Sequence, residues 1–117
     1  MTPNEILKIA VRAADSKMAA DIEALDIREL TTIADYFVIC TGSSPAQIRA
    51  VTEEIERKLK EAGVMPLSVE GLQASGWVLM DYGDVVIHVF RKETREFYAI
   101  ERLWNDAPHV NVEELLK

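Results

Sequence analysis

Six consecutive residues, Tyr36-Phe37-Val38-Ile39-Cys40-Thr41, form an apolar and β-branched run that stops at Gly42. Successive side chains of a strand point to opposite faces, so a run of this kind needs cover on both sides. It belongs in the interior of a sheet with helices packed against it, which points to an α/β domain. A helix start follows at once. Ser44-Pro45-Ala46-Gln47 offers a capping hydroxyl, a proline at the first helical position and a glutamine at N3. Thr2-Pro3-Asn4-Glu5 repeats the arrangement with glutamate, and both read as capping boxes.

The first helix is expected to run to about Met18. Ile6, Ile9, Ala10, Ala13 and Lys17 lie near one stripe, with Leu7, Ala14 and Met18 beside it. The second carries the cleaner stripe Ile48, Val51, Ile55, Leu59 and Ala62 and stops at Gly63. Asp21–Ile27 reads as a strand, and a short one is expected from about Met65 to Glu70. Trp77–Tyr82 and Val85–Arg91 read as longer strands joined by Gly83-Asp84, a two-residue hairpin signal. A helical segment from about Glu93 to Trp104 precedes a loose tail containing Pro108. The order α-β-β-α-β-β-β-α implies a single α/β domain over residues 1–104, a mixed sheet with helices packed on it. Residues 105–117 are left as a C-terminal tail.

Lys and Arg total 13 against 20 Asp and Glu, a formal net charge of −7 over 117 residues. That balance lacks the basic footprint of phosphate-backbone binding, so sequence-specific nucleic-acid recognition is not expected. The single cysteine, Cys40, has no internal disulfide partner and suits a reducing compartment. The N-terminus shows neither a signal-peptide nor a transit-peptide pattern. The apolar runs are far shorter than the roughly 20 residues that span a bilayer. A cytoplasmic protein with no membrane partner is expected.

Three constellations invite chemistry. Gly42-Ser43-Ser44 ahead of a helix resembles a phosphate cradle and the Gly-Ser element of nucleotidyltransferases. The positions that follow, Pro45 to Arg49, hold no acidic pair for divalent metal, and capping explains Ser44. A nucleotide or phosphate binder of that type stands as the alternative function. Asp81 and Asp84 flank the hairpin turn, where turn chemistry explains Asp84. Cys40 sits in an apolar strand as a small hydrophobe, and only His88 and His109 exist as bases. No catalytic residue, metal ligand or cofactor is therefore assigned.

The hairpin carries the functional signal. A two-residue loop pairs Tyr82 with Val85, Met80 with Ile87 and Val78 with Val89, placing an apolar set on one face for the helices. The other face holds Trp77, Leu79 and Asp81 beside Val86, His88 and Phe90. With few helices available, part of this aromatic face is expected to stay uncovered, as in a protein interface. The competing expectation is that the terminal helix covers it. Arg91 to Glu96 mixes charges and reads as a solvated rim.

Asp26-Ile27-Arg28, Ala34 to Ser44, Glu70-Gly71, Gly76 to Asp84, Val86 to Phe90, Arg95 to Tyr98 and Glu101 to Trp104 together resemble the ribosomal silencing factor family, also called Iojap. The resemblance runs in order along all but about the last dozen residues. It implies a nucleotidyltransferase-like fold without the catalytic acids, and no enzyme activity. It also implies binding to the large ribosomal subunit through its protein fourteen, which blocks joining of the small subunit and lowers translation when nutrients run short. Homodimers of the free protein are a further expectation. Carried onto this sequence, Trp77 is the expected anchor, with Leu79 and Phe90 as its apolar surround. Asp81, Tyr82 and His88 are the expected orienting polar groups, and Arg91 and Lys92 lie at the rim.

Overall fold

Thr2 opens α1 (Pro3–Ser16) with a complete capping box: its hydroxyl accepts from the Glu5 amide, and Glu5 Oε1 accepts from the Thr2 amide, each at 3.1 Å. In the computed structural model, which describes residues 1–72 and 76–117, this helix ends before Met18. Lys17 caps it, and Met18 turns to φ +65° while the Met18 and Ala19 amides donate to the Asp15 and Ala14 carbonyls. That is a Schellman ending, normally built on glycine. The second helix, α2 (Pro45–Glu61), ends the same way with Gly63 at φ +89°. Its start differs from the full box. Ser44 Oγ accepts from the Gln47 amide, but Gln47 Oε1 accepts from Ser43 and its Nε2 donates to the Lys17 and Met18 carbonyls. One side chain thus ties the end of α1 to the start of α2.

The strands are β1 (Ala20–Asp26), β2 (Tyr36–Gly42), β3 (Ser68–Glu70), β4 (Trp77–Asp81), β5 (Val85–Arg91) and β6 (His109–Val110). They form one mixed sheet in the order β3-β4-β5-β2-β1-β6. Among the described residues only β2 and β5 run parallel, and they sit at the centre, which is why every residue of β2 is buried. The β4–β5 hairpin has the expected register: Val78 faces Val89, Met80 faces Ile87, and the Tyr82 amide donates to the Val85 carbonyl at 3.0 Å.

Two cores follow from the alternation. Val78, Met80, Tyr82, Val85, Ile87 and Val89 pack with Val38, Cys40 and the stripes of α1 and α2. Across the sheet, Phe37, Ile39, Val86 and Phe90 pack with Leu25, Ile27, Ala34, Ile100 and Ala107. That second face is covered by loop and short-helix residues rather than by a long helix.

The C-terminal third departs from expectation. In place of one helix to Trp104, α3 (Lys92–Tyr98) and α4 (Ile100–Leu103) are separated by Ala99 at φ +43°. The break lets Ile100 and Trp104 turn onto the second sheet face. The expected loose tail is instead built into the domain. Residues 109–110 add β6 against β1, and α5 (Val112–Leu116) packs its Val112, Leu115 and Leu116 on the helical core. Arg12 Nε donates to the Leu115 carbonyl at 2.9 Å, a contact the segment's weak local pattern did not announce.

Candidate functional site

The two ends of the β2–α2 junction test the phosphate-cradle reading first. A Cβ on Gly42 would stand 2.7 Å from Ile48 Cγ1, so glycine is needed there for the close approach of α2. The Ser43 amide and hydroxyl donate to Gln47 Oε1, and the Gln47 amide donates to Ser44. These donors are already matched within the chain, which explains the motif by packing and capping. At the hairpin turn Asp81 Oδ1 accepts from the Gly83 amide at 2.8 Å, and the Asp84 carbonyl accepts from Asp35 and Tyr36. Cys40 is fully buried, and burial pushes its thiol up to about 12, so it is a protonated core group rather than a nucleophile.

The second sheet face holds an aromatic ladder. Trp77 is half-buried and packs on Phe90 at 4.9 Å between ring centroids and on Tyr98 at the same distance. Its Nε1 donates to His88 Nδ1 at 3.2 Å, which leaves His88 as the neutral tautomer with its proton on Nε2. Among the described residues, the buried His88 Nε2 has no hydrogen-bond partner. His88 is 5% exposed, and burial pushes its pKa down to about 4. Phe37 meets the His88 ring edge-on at 4.8 Å and Trp104 at 5.4 Å, completing the support.

The structure sorts the expected site residues by accessibility. Trp77, Leu79 and Asp81 are half-buried on one face of β4, while Arg91 and Lys92 are exposed at the end of β5 and the start of α3. Phe90 is 0% exposed, so it backs Trp77 from below and is not part of an outer apolar surround. His88 likewise acts beneath the surface, as the acceptor that fixes the indole. Tyr82 belongs to the opposite core: it is one residue out of phase with Trp77, Leu79 and Asp81, and the pleat turns it toward the helices. Both of the competing expectations for this face hold in part. Trp104 at the end of α4 packs on Phe37 of β2, while Trp77, Leu79 and Asp81 on the β4 side stay partly accessible.

What the sequence reading missed is the arm beside that opening. Phe97 is 80% exposed, Tyr98 50% and Leu103 76%, all on α3 and α4. Phe97 meets Tyr98 at 5.0 Å, and Tyr98 meets Trp77, so the arm and the hairpin form one continuous band. The signal was present in Phe97-Tyr98, but the break at Ala99, which re-aims the chain between α3 and α4, was not. The band offers aromatic anchors, apolar surround and a polar edge. That is the composition of a surface that binds another macromolecule rather than a small substrate.

Comparison with known proteins points to one family along the whole chain. The family model described as "Ribosomal silencing factor during starvation" matches residues 1–117, including the C-terminal segment that the sequence resemblance left out. The chain is 47% identical over 108 residues to the ribosomal silencing factor RsfS of Bacillus subtilis, covering 92% of each. It is 41% identical over 116 residues to that of Halalkalibacterium halodurans, covering 99% of each. A crystal structure of a protein from Chromobacterium violaceum superposes with a TM-score of 0.87 at 40% identity, covering 90% of this chain and 88% of the other.

Proposed function

The chain belongs to the family of ribosomal silencing factors, and we propose that it binds the large ribosomal subunit through that subunit's protein fourteen, holding off the small subunit and repressing translation when nutrients are limiting. The observation that carries this reading is the band in which partly accessible Trp77 and Leu79 of β4 adjoin exposed Tyr98 and Phe97 of α3, at a sheet face covered by loops and short helices. Trp77 is the anchor, preset by its bond to His88, and Asp81 with Arg91 and Lys92 supplies the charged edge. No chemical step is needed. A body of 33 × 33 × 27 Å seated on the joining face of one subunit excludes the other by its volume. In this reading the protein works in the cytoplasm, and the free form pairs with a second copy.

Co-sedimentation with isolated large subunits tests it, followed by mixing with small subunits. The wild-type chain is expected to travel with the large subunit and to reduce subunit joining. Trp77→Ala combined with Asp81→Ala is expected to weaken binding by at least about tenfold, the scale of losing a central anchor. Unchanged binding by the double variant sinks the proposed face.

A further inference from the structure

Arg95 departs from the solvated rim expected of Arg91–Glu96: its side chain is only 11% exposed. From α3 it reaches three other elements at once. Nη2 donates to Glu23 Oε2 of β1 at 2.6 Å, Nη1 to Thr41 Oγ1 of β2 at 2.8 Å and to the Asp21 carbonyl at 2.8 Å, and Nε to Glu101 Oε2 of α4 at 3.3 Å. No residue of α3 is fully buried, so this fork is a main seat of the helix on the sheet. A guanidinium suits the task because its donors point in fixed directions within one plane. It also stands between two carboxylates, Glu23 and Glu101, which repel each other once the cation is gone. The arm it seats carries Phe97, Tyr98 and Leu103, and the left-handed break at Ala99 lies between them.

We propose that Arg95 is a positioning residue for the docking face: it locks the α3–α4 arm so that Tyr98, with Phe97 against it, stands beside Trp77 before any partner arrives. The inference rests on the docking reading above and adds the device that makes the face ready-made. Binding then avoids the cost of ordering the arm on contact.

The whole chain carrying Arg95→Gln, Arg95→Lys or Glu101→Gln is compared with wild type in co-sedimentation with isolated large subunits and in segment-resolved hydrogen exchange. Arg95→Gln is expected to weaken binding about tenfold, the scale of ordering a loosened arm on contact, with faster exchange confined to residues 92–104. Glu101→Gln, which loosens the same fork from its other side, shifts both readouts in the same direction. Arg95→Lys, which keeps the charge, recovers part of the binding. Arg95→Gln that binds like wild type, while Trp77→Ala does not, overturns the role of Arg95 alone. Weaker binding with faster exchange throughout the sheet also overturns it, because that marks a general structural role. A wild-type chain that fails to sediment with large subunits overturns the docking reading and this one together.

Discussion

At His88 a neutral ring is held beneath an indole, and its acid–base behaviour sets a stability window. The folded pKa of about 4 lies below the ordinary value of 6.5, because burial disfavours the charged ring. The unfolded chain therefore binds more protons between those values, and stability falls as pH drops through the window. A drop from 6.5 to about 4 corresponds to on the order of 3 kcal/mol, fully present above pH 6.5 and lost by about pH 4. Glu5, Asp26 and Glu54 are held below their usual range by hydrogen bonds to Thr2, Arg28 and Arg57, and they titrate in the same direction. Comparing wild type with His88→Gln isolates the histidine. Denaturant unfolding at pH 7 and pH 4.5 should show a clearly smaller acid loss in the variant; equal losses count against this account. Nothing in the one-dimensional pattern distinguishes a buried neutral His88 from a surface one. The register placed it on the second face, and only the cover from Phe37, Trp77 and Phe90 decided its burial.

Helix endings show the same division one level up. Both long helices close with the same hydrogen-bond pattern, yet one uses Gly63 and the other Met18. A left-handed conformation costs a residue with a Cβ roughly 1–2 kcal/mol relative to glycine, part of which glycine returns through its looser unfolded state. Met18 is exposed, so little packing is lost on replacing it. Met18→Gly is accordingly expected to stabilise the fold by about 1 kcal/mol, raising the melting temperature by about 4 °C for a domain of this size. A fall in melting temperature contradicts the assignment of strain at this turn. The start signals were legible because Thr2-Pro3 and Ser44-Pro45 act through residues three apart. The Met18 ending was not, since the demand for a turn there comes from where Ala20 must enter the sheet opposite Thr41.

Charge is arranged at the scale of the whole molecule. Asp26, Asp35, Asp81 and Asp84 lie at the sheet end where β1 and β4 finish and β2 and β5 begin. Arg28 is bound there by Asp26 at 2.6 Å, so the end remains acidic. An acidic molecule approaching a basic protein gains from attraction, and one approaching RNA is repelled. Raising salt from about 0.05 M to about 0.5 M shortens the reach of both effects. Association with large subunits is therefore expected to slow several-fold in salt, with a smaller change in dissociation. Faster association in salt points to RNA as the main contact and removes the basic-protein partner.

Local chemistry along the chain was enough for the central β2, the capped starts of α1 and α2, the hairpin register and the two faces it creates. Those features depend on neighbours within a few positions, or on a strict alternation that one turn fixes. The net charge also stands in the composition alone. Three-dimensional packing was needed for the rest. The break at Ala99, the seating of Arg95 on residues more than fifty positions away, and the docking of α5 onto α1 all depend on partners distant in sequence. So does the difference between Phe90, sealed beneath the band, and Trp77, open at its edge. Alternation assigns a side chain to a face, but cover comes from whatever other segment folds over it, and that segment is chosen by the whole chain at once.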